Sequence, residues 1–230
     1  MLQQLDSQGY AIAPAVLDRC TIESLLLAVV SFDHVRSTRR GEVYGIRDLL
    51  SIEGVRALAR STAIRKLVEP IAGKDALAVR GIFFDKTPEA NWPVIWHQDM
   101  SIAVAEEYDL PGWKGWSVKN GVNHVQPPAN ILERMVTLRL HLDDCGADNG
   151  PLKVCPGSHR LGRLDPQAIR SLRDENGEAI CAVHAGDAVV MRPLLLHASS
   201  PAAAAHHRRV IHLEFAPVAL LPDGVRWAFA

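Results

Sequence analysis

Met135-Val136-Thr137-Leu138-Arg139-Leu140-His141-Leu142-Asp143 alternates without a break. Val136, Leu138, Leu140 and Leu142 fall on one side, and Thr137, Arg139, His141 and Asp143 on the other. Successive side chains of an extended chain point to opposite faces, so a period of two marks a strand. One face is apolar and needs cover; the polar one can be an inner or an outer face.

Outward from this strand, apolar or alternating runs predict strands over 76–86 and 94–101 before it. After it they predict strands over 152–155, 179–184, 188–191, 194–199 and 208–216. Asp148-Asn149-Gly150 and Pro156-Gly157 supply turns, and a helix over 166–173 interrupts. The first seventy residues read mostly helical. Asp18 or Thr21 caps a helix to about Phe32, with Ile22, Leu25, Leu26, Val29 and Val30 on one face. Residues 9–14 make a short strand and 37–45 a loop. Helices follow over 52–60 and 62–68, the second closed by Pro70. The stretch 106–130 holds Trp113, Trp116, three glycines and three prolines, and reads as one long ordered loop acting as a lid over 105–130.

About eight strands fit a mainly β fold with flanking α-helices: a double-stranded β-helix, or cupin-like jelly roll, with the N-terminal helices packed on one sheet. One domain spans 1–230, with 1–74 as mostly helical support and 75–216 as the barrel. The net charge of −1 at a pI near 6.8 gives no electrostatic reason to expect nucleic acid or an anionic membrane as partner. Four cysteines lack Cys-x-x-Cys spacing and read as reduced thiols. Near the start, Asp6 and the missing apolar h-region argue against a signal peptide, and 25–30 is too short an apolar run to span a bilayer. A cytoplasmic protein, monomer or homodimer, acting on a small molecule is expected.

The chemistry is carried by Ile95-Trp96-His97-Gln98-Asp99-Met100. On a strand, His97 and Asp99 project to one side, two thirds of a 2-His-1-carboxylate metal face. Ten His and fifteen Asp in 230 residues give about 0.65 such pairs by chance, so the motif alone is weak. His141-Leu142-Asp143 is a second instance. Strand order favours His97, because the metal lies inside a jelly roll and its last ligand belongs on a penultimate strand. His197 is on the seventh predicted strand, where an imidazole is either a core residue or a ligand. Arg208, opening the next strand, can form a bidentate pair with a carboxylate in the barrel, whereas Arg209 points away to solvent. His206 and His207 read as surface residues, and nothing favours His212 as a ligand. Asp85 and Lys86, at the end of the first barrel strand, are solvated or touch substrate. Trp113, Trp116, His124 and Gln126 are candidates to cover it.

Together with Gly9-Tyr10, Asp148-Asn149-Gly150-Pro151-Leu152, Pro156-Gly157-Ser158-His159 and Gly186-Asp187, these residues make the chain resemble the phytanoyl-CoA dioxygenase family of iron(II)/2-oxoglutarate oxygenases. The resemblance implies an oxygenase that hydroxylates a small molecule with Fe(II), O2 and 2-oxoglutarate, releasing succinate. It implies His97, Asp99 and His197 as catalytic metal ligands, Arg208 on the far carboxylate of 2-oxoglutarate, and Ser199 assisting. Arg47 matches a basic cosubstrate contact ahead of the barrel. Arg139 stands where a Trp often faces the cosubstrate, so it contacts either cosubstrate or substrate. Related halogenases lack the carboxylate that Asp99 supplies, which favours hydroxylation. The alternatives are a cupin-like metalloenzyme without 2-oxoglutarate, which has no use for an inward Arg208, and a non-catalytic metabolite-binding jelly roll.

Overall fold

The computed structural model of the chain describes residues 1–32, 36–39, 42–203 and 206–229. Its leading part holds α1 (Leu2–Gln8), β1 (Tyr10–Ala13), α2 (Arg19–Val30), β2 (Arg36–Arg39), β3 (Glu42–Arg47), α3 (Glu53–Arg60) and α4 (Thr62–Ala72). Then come β4 (Leu77–Lys86), β5 (Val94–His97), β6 (Ile102–Val104), β7 (Lys114–Lys119), β8 (Val122–Gln126), α5 (Ala129–Leu132) and β9 (Val136–His141). The remainder is β10 (Leu152–Val154), α6 (Pro166–Asn176), β11 (Ala179–Cys181), β12 (Ala188–Met191), β13 (His197–Ser199) and β14 (Arg208–Ala216).

Two antiparallel runs, β12-β9-β14-β4 and β11-β10-β13-β5, are the facing halves of a jelly roll. Their eight strands correspond to the eight expected from apolar runs and period-two alternation. The first run grows to a seven-stranded sheet by addition of β1 at one edge and of β3 then β2 at the other. Helices α2 to α4 cover its outer face, where Leu138, Leu140, Leu213 and Phe215 pack in one cluster with Leu25, Val55, Ile64 and Val68. Burying each such side chain contributes about 1.5–3 kcal/mol. With the apolar face so used, Thr137, Arg139 and His141 turn inward, and both faces of β9 are buried. The polar face is the inner one.

Several expectations give way. Where a loop over 37–45 was expected, β2 and β3 pair antiparallel, and residues 40–41 between them lie outside the described residues. The exposed edge of β4 pairs with β3 (Gly45 with Phe84, Ile46 with Phe83, Arg47 with Ile82), and backbone pairing needs no side-chain periodicity. The leading 74 residues thus contribute strands as well as helices. The long loop is largely a three-stranded sheet, β6-β8-β7, followed by α5. Trp113 and Trp116 stack on each other at 6.4 Å and pack against the cluster that holds Ile102, Val104 and Val125. Pro70 lies within α4, which runs on to Gly73 at φ 92°, and α6 extends to Asn176. Val30 is 68% exposed.

Gly186-Asp187 ties the leading segment to the barrel. The Gly186 carbonyl accepts from Val16 N (2.8 Å) and Leu17 N (3.0 Å), and Asp187 accepts from Ala15 N at 2.9 Å. Gly186 has φ 92°, and a Cβ there would meet the Leu17 carbonyl oxygen at 2.4 Å. Gly186→Ala should therefore cost about 2–4 kcal/mol, read as a lower urea midpoint; an unshifted midpoint would refute this account. Among the described residues no helix is long and apolar enough to cross a membrane.

Candidate metal centre

Strand pairing sets the centre. In the β13–β5 ladder, His197 is directly opposite His97, with ring centroids 4.2 Å apart. Each Nδ1 is 2.8 Å from the carbonyl two residues earlier, Ile95 O and Leu195 O. A protonated Nδ1 donates to these carbonyls, so each ring keeps its lone pair on Nε2. Those Nε2 atoms lie 3.8 and 3.7 Å from the two Asp99 oxygens, and the three ligand atoms all fall within 4.8 Å of one another.

Asp99 reaches this point differently from expectation. β5 ends at His97, and Asp99 lies just beyond it, placed by its N–H donating to Pro193 O at 2.9 Å. Gln98 is buried and ties down the chain on that side, donating to Gly162 O and Leu194 O and accepting from Leu164 N. Ser158 of Pro156-Gly157-Ser158-His159 accepts from Leu196 N at 2.8 Å, fixing the backbone just ahead of His197.

These residues fit a divalent transition metal. Asp99 Oδ2 is buried and has no hydrogen-bond partner among the described residues. Burial alone would raise the Asp99 carboxyl. The facing His197, His212, His97 and Arg80 outweigh it and hold the group well below the usual carboxylate range. Burial pulls His197 down to about 4, so it is a neutral acceptor at neutral pH. Two imidazole nitrogens and one carboxylate on one side of an open space are the ferrous facial donor set. The rival pair does not converge. His141 is buried inside the barrel, while Asp143 holds Arg209 through Nε at 2.8 Å and Nη2 at 2.5 Å. Arg209 is therefore ion-paired, where solvation was expected.

A cavity of about 440 Å³ opens from the triad, walled in part by Ile82, Phe84, Trp92, Val94 and Leu152. Arg208, Ser199, Arg139 and Arg47 all line it. Arg208 is 3% exposed, with Nη1 donating to Gly150 O; burial brings the guanidinium to about 10, still charged at neutral pH. Gly150, at φ 59°, is required: a Cβ would lie 2.8 Å from Ser200 O. Arg139 donates to His212 Nδ1 at 3.2 Å, leaving Nε2–H toward Glu214 at 3.3 Å, and Glu214 also accepts from Arg80 at 3.0 Å.

Lys86 is the largest surprise of the site. It is fully buried opposite Arg208, with Nζ donating to Ser199 Oγ at 3.0 Å and Ser200 O at 2.9 Å. Its neighbour Asp85 pairs with His207 at 2.9 Å. Burial, then Arg208 and Arg139, bring the Lys86 ammonium from 10.5 to about 7. The unfolded chain thus holds more protons than the folded one between these values, so this lysine's contribution makes stability rise with pH across that window. At about 1.4 kcal/mol per unit the rise amounts to a few kcal/mol. Lys86→Met should remove it, read by chemical unfolding of the metal-free protein at pH 7 and 10; identical pH slopes in both proteins would refute the assignment. Lys86 and Arg80 were findable, since inward positions 80, 82, 84 and 86 follow the period of two on β4, as do 208, 212 and 214 on β14.

The comparisons agree with this architecture. The phytanoyl-CoA dioxygenase (PhyH) family profile matches residues 5–210. AviO1 from Streptomyces viridochromogenes Tue57 superposes with TM-score 0.68 at 23% identity, covering 96% of this chain and 95% of its own. EctD from S. alaskensis, solved with bound Fe, gives 0.72 at 17% identity over 96% of this chain and 77% of its own. SnoK, a non-heme alpha ketoglutarate dependent carbocyclase from nogalamycin biosynthesis, gives 0.70 at 16% identity over 94% and 83%. No curated protein matches the chain.

Proposed function

Because this chain belongs to the phytanoyl-CoA dioxygenase family, we propose that it is an iron(II)/2-oxoglutarate-dependent oxygenase that hydroxylates a small molecule. The observation that carries the reading is the convergence of His97, Asp99 and His197 in one cavity with the buried guanidinium of Arg208. His97 and His197 would hold the metal through Nε2, and Asp99 through its carboxylate. Bound there, ferrous iron supplies O2 activation coupled to oxidative decarboxylation of 2-oxoglutarate to succinate.

The chain's own residues do the rest. Arg208 presents a charged fork to the distal carboxylate of the cosubstrate. Lys86 donates to Ser199 Oγ, which leaves the Ser199 hydroxyl proton free to donate into the cavity toward the same carboxylate. The backbone carbonyls Ile95 O and Leu195 O fix both imidazole tautomers. Phe84, Trp92 and Leu152 keep the wall beside the triad apolar and restrict water. Arg139, held by His212, is placed to touch cosubstrate or substrate.

Anaerobic titration of the metal-free protein with Fe(II), then 2-oxoglutarate, should produce the visible charge-transfer band of the chelate. Tight iron binding without a band would favour a cupin-like enzyme that uses no 2-oxoglutarate. For the reaction itself, isotopically labelled O2 should place label in the product alcohol. A cyclised or epimerised product without label, formed with succinate, would overturn hydroxylation while leaving the cosubstrate assignment intact.

A further inference from the structure

We propose that the primary substrate is an anion, its carboxylate, phosphate or sulfate group bound at the outer end of the cavity by Lys119 of β7 with Arg80 of β4 and Arg47 of β3. This rests on the iron and 2-oxoglutarate reading.

The long axis of the site follows β14. In its pairing with β4, Arg208 is opposite Lys86, His212 opposite Ile82, and Glu214 opposite Arg80. At about 3.4 Å per residue, the six steps from Arg208 to Glu214 span about 20 Å. The triad lines the same cavity as Arg208, Ile82, His212, Arg80 and Glu214, so it faces this path. A short diacid anchored on Arg208 and chelating at the triad ends there. Arg47, paired with Ile82, is about four residues from the Lys86–Arg208 level, toward the Arg80 end. Lys119 comes from another sheet: it ends β7 before the Asn120-Gly121 turn, where both residues have positive φ. It faces the cavity and, with Arg47, Arg80 and His124, a narrow annex to it.

Charge makes the case. Arg47, Arg80 and Lys119 join Arg139 and Arg208, so cavity and annex present five cations. Among the described residues, three carboxylates face them, Asp48, Asp99 and Glu214. Ferrous iron and the 2-oxoglutarate dianion cancel, so an excess of two positive charges remains once both are bound. One of the two belongs to the outer end, where Arg47, Arg80 and Lys119 face Asp48 and Glu214 and where Arg80 is already paired with Glu214 at 3.0 Å, so Lys119 carries the charge left over there. Burial, then Arg80 and Arg47, lower the Lys119 ammonium, and Glu214 offsets this only in part. Cations crowded at a cavity mouth repel one another until an anion enters, and they draw anions from solution. A lysine on a solvated hairpin face would point outward; Lys119 is half-buried and faces the annex.

The test uses wild type and Lys119→Gln, a substitution on a half-exposed hairpin. Each is loaded anaerobically with Fe(II) and saturating 2-oxoglutarate, so that any cation the cosubstrate occupies is already satisfied. Loading is read from the chelate band. Inorganic phosphate, and separately acetate, are then titrated by calorimetry in a zwitterionic buffer. Saturable binding to the loaded wild type, weakened about five- to tenfold in Lys119→Gln, is expected for loss of one half-buried charge partner. Preference for phosphate points to a phosphate or sulfate ester, and preference for acetate to a carboxylic acid. Absence of binding by both anions, or equal binding by both proteins, would overturn the proposal. If no band forms, the iron reading has failed; the same titration of metal-free protein still reads the Lys119 site through the ratio between the two proteins.

Discussion

Asp99→Ala should reduce succinate formation to below about a thousandth of wild type, equivalent to some 4 kcal/mol of barrier. The same substitution should abolish the chelate band at iron concentrations that saturate the wild type. Asp99 is the one anionic member of the triad, held ionised by His197, His212, His97 and Arg80 despite burial. Its Oδ2 has no hydrogen-bond partner among the described residues, so the side chain makes few bonds that fold stability depends on. Activity and folding should therefore separate: the variant should melt near the wild-type temperature while losing turnover. His97→Ala should behave alike, because its ring touches the centre from the half-exposed end of β5. Turnover retained at the wild-type level in either variant would remove the triad from the mechanism.

Arg208→Met should weaken 2-oxoglutarate by about 10²- to 10³-fold in apparent affinity, or about 3–4 kcal/mol, as expected when one partner of a buried charge-assisted pair is truncated. Turnover at saturating cosubstrate should change far less, because the guanidinium grips a carboxylate remote from the reacting atoms. Arg208→Lys should recover only part of the loss. An ammonium cannot reproduce the planar fork, and Lys86 already places an ammonium on the opposite strand residue. The measurement is succinate formation against 2-oxoglutarate concentration. An unchanged concentration dependence would mean that the buried arginine serves only its bond to Gly150 O.

The eight barrel strands were legible because burial on one face writes a period of two or an apolar run into the chain. Residues 136 to 142 are the plainest case, since their apolar face meets the helices over its whole length. Helix starts were legible where a cap is local: Asp18 accepts from Thr21 N, and Asp165 from Gln167 N and Ala168 N. The pair of β2 and β3 left no such trace, because it forms by backbone pairing on the edge of β4. Nor did the three-stranded excursion, whose β7 is largely exposed and so carries no buried face to mark it.

At the site, the sequence by itself determined which residue types were available: two His-x-Asp pairs, a histidine on a late strand and an arginine opening the last one. It determined which of them share a face on β4, β9 and β14, since alternation sets that, but the fold decided that the polar face is the inner one. Which pair converges with His197 was decided by tertiary structure. His197 lies opposite His97 because β13 and β5 are neighbours in the second sheet, while Asp143 is drawn off by Arg209. The burial of Lys86 was decided the same way, by Ser199 and Ser200 more than a hundred residues along the chain. Local periodicity records which side chains share a face. What that face meets depends on strands that only the folded sheet brings together, and that pairing determines whether an inward lysine is solvated, ion-paired or held against a serine.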